Sequence, residues 1–415
     1  MAFIDEYDSI PATDPQKQVQ VVYRWLRSNW RGMYGELRAA RPVFRTPAFV
    51  MVTRRADVIQ ILSENELYSV RGYKDAMDPS IGPFMLDRDG TAINWNDKGV
   101  MRAVLPWDDL PGVRSLVEEI AGKSLAAGQT RIELVSALGR LVPLKVVQRY
   151  FGFPGPDDAT MLRWSKATQW DIFHNPTKDA QVHAACVRAG EEMRAYVWGL
   201  LDAKRGIADP PRDPVARLAA LVRAGGAGMT AERAVSNVCG LLVGAIETTA
   251  QAIVQATEQI LIRPDVLRRA ADVAGKGASD EFEGIVWEAL RFNPITTLVF
   301  RYCERDTVIA AGTPYETPVT KGTVLAVCLA SAMFDEAAVP DAEEFRDGQP
   351  FDSYLHFGFG NHECLGKYVG KVMIPEAVRQ VVKLPGVRPL PGDEGKIDFQ
   401  NGPFPERYLI AAGAA

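Results

Sequence analysis

Residues 357–366 read F-G-F-G-N-H-E-C-L-G: one cysteine, Cys364, among three glycines, with a helix expected directly after it. Gly358 and Gly360 allow the backbone positive φ and a close approach to a flat ligand. A helix start brings backbone N–H groups and the positive end of the macrodipole to the sulfur, which favours thiolate over thiol. A thiolate is the form that binds iron. A lone cysteine is more often an inert buried thiol. The glycine-rich context around Cys364 turns the reading toward a metal ligand.

The next informative stretch lies upstream. Thr230 can cap a helix running from Ala231 to about Ile262, where Pro264 stops it. At ~1.5 Å per residue such a helix is roughly 45 Å long. Between Arg233 and Glu258 its only charged residue is Glu247, so it should be buried all round. Ser236, Asn237, Thr248, Thr249, Gln251 and Gln255 make it a poor membrane span. Within it, residues 244–249 read G-A-I-E-T-T. A carboxylate buried there costs free energy unless it is paired or functional. The plain alternative is a structural glutamate hydrogen-bonded to a neighbouring loop. A second helix is expected over residues 280–292, ended by Pro294, and on it Glu288 and Arg291 share a face and can pair.

Elsewhere, residues 19–39 have helical spacing, 42–53 read as two strands and 56–63 as a helix. Residues 68–95 read as a long loop that still carries Tyr68, Tyr73, Met77, Ile81, Phe84 and Met85. Such a loop is either a lid over a ligand or an ordered loop packed down on the core. Residues 113–223 are mostly helical, strands are expected at 298–303, 307–310 and 323–328, and a terminal hairpin closes the chain. The fold class is mainly α with minor β: a helical body with a small β-rich region.

The chain has 415 residues, 47% of them hydrophobic, enough for a large core. Short breaks at 206–214 and 225–229 do not look like linkers, and there is no internal repeat, so a single domain over residues 1–415 is expected. With 47 basic and 52 acidic residues the net charge is -5, which argues against nucleic-acid binding. The first residues carry neither a charged leader nor an apolar run, so neither a signal peptide nor a membrane anchor is expected. Five cysteines without a C-x-x-C pair, and four histidines without H-E-x-x-H, speak against a disulfide framework or a zinc site. A soluble, cytoplasmic protein is the reading.

Phe357, Gly360, Cys364 and Gly366 match the F-x-x-G-x-x-x-C-x-G signature of the cytochrome P-450 superfamily, with His362 in its basic position. Residues 244–249 resemble the family's A-G-x-[D/E]-T-[T/S] motif with the first two small residues exchanged. Glu288 and Arg291 resemble its E-x-x-R pair, for which Arg346 is the candidate third member. The three motifs stand in the family's order, and the resemblance extends over essentially the whole chain.

The resemblance implies heme b (iron protoporphyrin IX) held by Cys364 as axial, metal-binding ligand. Phe357, Gly358, Gly366 and Ala245 would lie next to the haem, and Lys98, Arg102, Arg301 and His362 would face its propionates. Glu247 and Thr248 would be catalytic, as acid and hydroxyl for proton delivery, and Glu288 and Arg291 structural. Phe84, Met85, Leu241, Ile295, Leu298, Val299 and Phe404 would line an apolar substrate pocket. The implied activity is insertion of one atom of dioxygen into a hydrophobic small molecule. Electrons would come from a separate ferredoxin or flavodoxin with its reductase, steered to Lys367, Lys371 and Arg379, with Arg102 or Arg114 nearby. A peroxide-using enzyme (peroxygenase or hydroperoxide isomerase) and a non-catalytic haem sensor are the alternatives; the Glu247–Thr248 pair speaks against both. The chain departs from the family at Lys367 and Gly370, where alanine is usual, at Pro375, expected to kink the last helix, and at residues 330–335, which lack Asn-Arg-Asp.

Overall fold

The computed structural model describes residues 2–125, 130–207 and 212–413. Part of the break expected at 206–214 therefore lies outside the described residues. The protein is mainly helical with few strands, and its contacts divide into two compact units, each drawn from separate stretches of chain.

The first unit comprises Met1–Gly72, Thr296–Arg346 and Pro350–Cys364. Its centre is a five-stranded sheet in the order Val43–Arg45, Val50–Val52, Val324–Val327, Val299–Cys303, Tyr68–Ser69. Only the pairing of Val50–Val52 with Val324–Val327 is parallel. Val22, Trp25, Met33, Tyr34 and Leu37 pack with Met51 and Ala326 in the core beside it. The helical spacing of residues 19–39 resolves into two helices, Pro15–Ser28 and Trp30–Ala40. Asn29 separates them because its side chain accepts from Gly32 N at 3.1 Å and caps the second helix, competing with continuation of the first. A two-stranded sheet of Thr307–Ile309 and Thr317–Val319 adds a strand that the sequence pattern did not reveal.

The second unit comprises Tyr73–Ile295, Asp347–Gln349 and Leu365–Ala415. Its axis is the helix Ala231–Leu261, with Thr230 Oγ1 accepting from Arg233 N as expected. Helices Leu141–Arg149, Asp158–His174, Ala180–Arg205, Asp280–Phe292 and Lys367–Val382 pack around it. The long helix is apolar enough to cross a membrane by length and composition, but 78% of its most apolar window is buried inside the protein.

Within this unit, the part of the expected long loop after Tyr73 is instead a run of short helical turns: Lys74–Ser80, Met85–Asp87 and Ile93–Asp97. Met77, Ile81 and Met85 are buried, so apolar packing orders the segment despite its Gly, Pro and Asp punctuation. Lys367–Val382 runs unbroken through Pro375. Proline's fixed φ is itself helical, and both flanks of Pro375 are buried, so packing holds the turn that lost a hydrogen bond. The expected terminal hairpin is a three-stranded sheet, with Leu409–Ala411 between Arg131–Glu133 and Arg388–Pro389.

Candidate functional site

In the first unit, the loop ahead of Cys364 is closed by its own backbone. Gly358 N donates to Leu355 O at 3.0 Å, Glu363 N to Gly360 O at 3.1 Å, and Cys364 N to Phe357 O at 2.9 Å. Gly358 and Gly360 both have φ of 73°. A Cβ on Gly360 would also stand 2.4 Å from Leu62 O, so this position requires glycine twice over. His362 ends a short 3-10 turn and is half-buried, as is Phe357, whose ring centroid lies 6.0 Å from that of Phe351.

Cys364 is exposed, whereas Cys186, Cys239, Cys303 and Cys328 are buried. Burial pushes the Cys303 thiol up to about 11, those of Cys186 and Cys328 to about 12, and Cys239 upward as well. These four are held as neutral thiols, which leaves Cys364 as the sulfur able to ligate iron. Arg301, on strand Val299–Cys303, is only 5% exposed and its Nη1 donates to Phe300 O at 2.8 Å. Leu298 and Val299 are half-buried, Leu298 against the core of this unit.

In the second unit the long helix is buried along most of its length but opens over one face. Gly244 is exposed, and beyond its own stretch of helix no atom comes within 4 Å of a Cβ built on it. Ala245 and Thr248 are half-buried, and Thr248 Oγ1 donates to Gly244 O at 2.5 Å. This small-residue face is a cradle that larger side chains would fill, and it suits a flat prosthetic group.

Glu247, 1% exposed, points elsewhere and is held by a residue that the sequence did not single out. Arg140 donates from Nε to Glu247 Oε1 at 3.0 Å and from Nη2 to Oε2 at 3.0 Å. The same guanidinium reaches Glu406 at 3.1 Å and 3.2 Å, and Lys166 Nζ lies 2.7 Å from Glu406 Oε1. Burial pushes the Glu247 carboxyl up, against the pull of Arg140. Burial also works to raise Glu406, but hydrogen bonds from Arg140 and Lys166 outweigh it and hold that carboxyl low. A π-type turn over Val135–Gly139 sets Arg140 in place. Its last residue packs close: a Cβ on Gly139 would be 3.1 Å from Val254. The available signal was physical: a lone glutamate in an apolar helix needs a cation, and Arg140 stands in an equally apolar stretch, A-L-G-R-L-V.

Glu288 and Arg291 form the expected pair, Nε to Oε2 at 2.9 Å and Nη2 to Oε1 at 2.5 Å, with both side chains at most 3% exposed. Arg346 makes an ion pair with Asp341 at 2.9 Å. Lys98 is buried on helix Lys98–Val104, whereas Arg102 is exposed on it. Gly366 caps helix Lys367–Val382, its carbonyl accepting from Gly370 N at 2.8 Å. Met85 and Leu241 are buried, and Phe84 and Ile295 half-buried. Phe404 has no exposed surface; its ring centroid lies 5.3 Å from His174 and 6.5 Å from Trp170, so it is part of an aromatic core rather than a cavity lining. Two of the expected docking cations are also spoken for. Arg379 is buried against Glu376 at 2.8 Å, and Arg114 pairs with Glu283 at 3.1 Å, because buried carboxylates there require cations.

A family model for cytochrome P450 matches residues 282–401, which include the Glu288–Arg291 pair and the Cys364 loop. The mycinamicin IV hydroxylase/epoxidase of Micromonospora griseorubida is 26% identical over 86% of this chain and 88% of its own. The steroid C26-monooxygenase of Mycobacterium tuberculosis is 25% identical over 90% of this chain and 87% of its own. Among solved structures, CalO2 superposes with a TM-score of 0.82, at 20% identity, over 94% of this chain and 97% of that one. The cofactor is accordingly haem and the enzyme class monooxygenase. Signature loop, family match and shared fold place the chain in the cytochrome P450 superfamily, among its bacterial-type members.

Proposed function

We propose that this monooxygenase inserts one atom of dioxygen into a hydrophobic organic substrate, taking electrons from a separate ferredoxin or flavodoxin with its reductase. The observation that carries the reading is Cys364: an exposed sulfur at the end of a loop held by two left-handed glycines, in a chain whose other cysteines are buried neutral thiols. Haem, when bound, supplies the redox chemistry that activates dioxygen. Cys364 supplies its thiolate, and Lys98, Arg102, Arg301 and His362 are the cations assigned to its propionates. We take 1–415 as one functional domain, working in the cytoplasm.

The remaining chemistry is proton handling. Thr248 Oγ1 already carries a proton directed at Gly244 O, one helical turn back, and can rotate to present it over the open face. Burial lifts the Glu247 carboxyl above its ordinary value, against the pull of Arg140, which makes the carboxyl easier to protonate than an exposed one. Arg140, Glu406 and Lys166 lead from the buried Glu247 to wetter positions, with side-chain exposure of 16%, 16% and 39%. They mark a polar route by which solvent can approach Glu247, with Arg140 orienting the carboxylate rather than passing a proton.

The test is spectroscopic. Reduced protein under carbon monoxide should show the strongly red-shifted Soret band of thiolate ligation. Cys364→Ser should abolish the band, and serine at Cys186, Cys239, Cys303 or Cys328 should not. A normal band in Cys364→Ser would remove the basis of the proposal.

A further inference from the structure

Three consecutive turns on one face of the long helix, at Ser236, Gly240 and Gly244, meet different surroundings. A Cβ on Gly82 would lie 2.6 Å from Ser236 Oγ, so the 82–87 segment presses on the first of these turns. At Gly240 the neighbour is the ring of Phe84: an added Cβ would stand 2.4 Å from its Cε2 and 2.5 Å from its Cζ. At Gly244 there is nothing within 4 Å. The cover of this face therefore ends with the Phe84 ring. Open space begins one turn further on, ~6 Å along the axis.

The ring is not free to drift. Asp87 Oδ1 accepts from Phe84 N at 3.2 Å, and Arg88 bridges Asp87 and Asp78 at 2.5 Å each. Asn94 Nδ2 donates to Met85 O at 2.9 Å. Asp97 binds Arg233 and, at 3.1 Å, Asn237 on the long helix itself. The turn bearing Phe84 is thus fastened at both ends, and the seat of its ring is set by the absence of a side chain at Gly240.

We propose that Gly240 sets the length of substrate this enzyme accepts, by letting Phe84 seat against the helix as the end wall of the space over Gly244, Ala245 and Thr248. Gly240 is a positioning residue here: it shapes the space through Phe84 and touches no reacting atom. Any side chain at 240 drives the ring toward Gly244 and shortens the space; removing the ring lengthens it to Gly240 and beyond. The inference rests on the haem reading above and adds the determinant of substrate length.

Straight-chain 1-alkylimidazoles of increasing length are the probe. Their ring nitrogen reports on the haem through the Soret shift, and their chain reports on the space. Each methylene that finds apolar contact should tighten binding about fourfold, until the wall is met. In the wild type the gain should stop at a definite length. Gly240→Ala should stop it at least two methylenes earlier, weakening the longer homologues tenfold or more with the shortest unchanged. Phe84→Ala should carry the gain at least two methylenes further. The double variant Gly240→Ala/Phe84→Ala should regain the long homologues, because the added methyl no longer has a ring to displace.

A common length limit in all four proteins would overturn the inference, as would equal weakening of short and long homologues in Gly240→Ala. Phe84→Ala introduces no clash, so it decides the matter even if Gly240→Ala does not fold. Absence of any Soret response in the wild type would overturn the haem reading itself. A normal response with an unchanged length limit overturns only this proposal.

Discussion

Replacing Arg140 with glutamine strips the cation from Glu247, a carboxylate that is 1% exposed. Removing one partner of a buried pair typically costs about 3–5 kcal/mol, because a charge is left in the interior. The variant can avoid that cost by protonating Glu247, and the loss should therefore depend on pH. In the wild type, burial already raises the folded-state pKa of Glu247, with Arg140 opposing the rise. A carboxyl whose folded pKa lies above its unfolded value gives stability that is complete below the unfolded value and is lost as pH rises through the folded one. Arg140→Gln pushes the folded value higher still.

The stability gap between variant and wild type should then open between their two folded pKa values at about 1.4 kcal/mol per pH unit. It should flatten above the higher of the two. A plateau of ~3–5 kcal/mol corresponds to a window of roughly two to four units. Glu406, held low, works with the opposite sign, giving stability above its unfolded value that is lost as pH falls. Lys166 remains 2.7 Å from it in the variant, so its share of the change is small. Urea denaturation of both proteins at half-unit steps from pH 5.5 to 8.5 measures the gap. Glu247→Gln and the double variant complete a cycle in which the slope should vanish once the titrating group is gone. A loss that is the same at every pH, or additive single variants, would refute the pairing of Arg140 with Glu247 as the source of the effect.

Gly360→Ala should prevent stable folding or haem retention, since it combines a left-handed φ with a backbone oxygen at 2.4 Å, whereas Gly358→Ala, strained only in φ, should cost about 1–2 kcal/mol in thermal unfolding. Thr248→Ala should keep the carbon monoxide spectrum and ligand affinity but lower product formed per NADPH consumed, with peroxide restoring part of the product. Unchanged coupling would make the hydroxyl structural. Charge reversal at Lys367 and Lys371 together should slow reduction by an acidic ferredoxin and flatten its salt dependence, while Arg379→Gln should lower stability first, because its guanidinium is buried against Glu376.

What the sequence disclosed and what it withheld follow from the reach of each interaction. The long helix was legible down to its cap because helical periodicity, Thr230 and Pro264 are local signals. The glycines of the cysteine loop declared positive φ for the same reason. Glu288 and Arg291 were legible as a pair because three residues separate them. Arg140 was not, because it meets Glu247 across 107 residues of sequence and Glu406 across 266. The strands Arg131–Glu133 and Thr317–Val319 escaped notice because the first has a single apolar residue between two charges and the second carries Pro318, which argues against a strand. Punctuation by Gly, Pro and Asp over residues 68–95 suggested a loop, yet tertiary burial of Met77, Ile81 and Met85 folded much of it into turns. Arg379 was misread as a surface cation although Glu376 stands three residues before it, because the burial of that pair comes from tertiary packing that helix spacing alone does not reveal.

The parallel pairing of Val50–Val52 with Val324–Val327 has a bearing on biosynthesis. The early strand leaves the ribosome about 270 residues before its partner, a wait of roughly 15–55 s at ~5–20 residues per second. Through that interval Val50, Met51 and Val52 have only Val43–Arg45 on one side, and their other edge is unpaired and wholly apolar. Such an edge invites pairing with neighbouring nascent chains. The yield of intact protein from an expression host should therefore depend on chaperone supply and chain density during synthesis more than on the stability of the finished molecule.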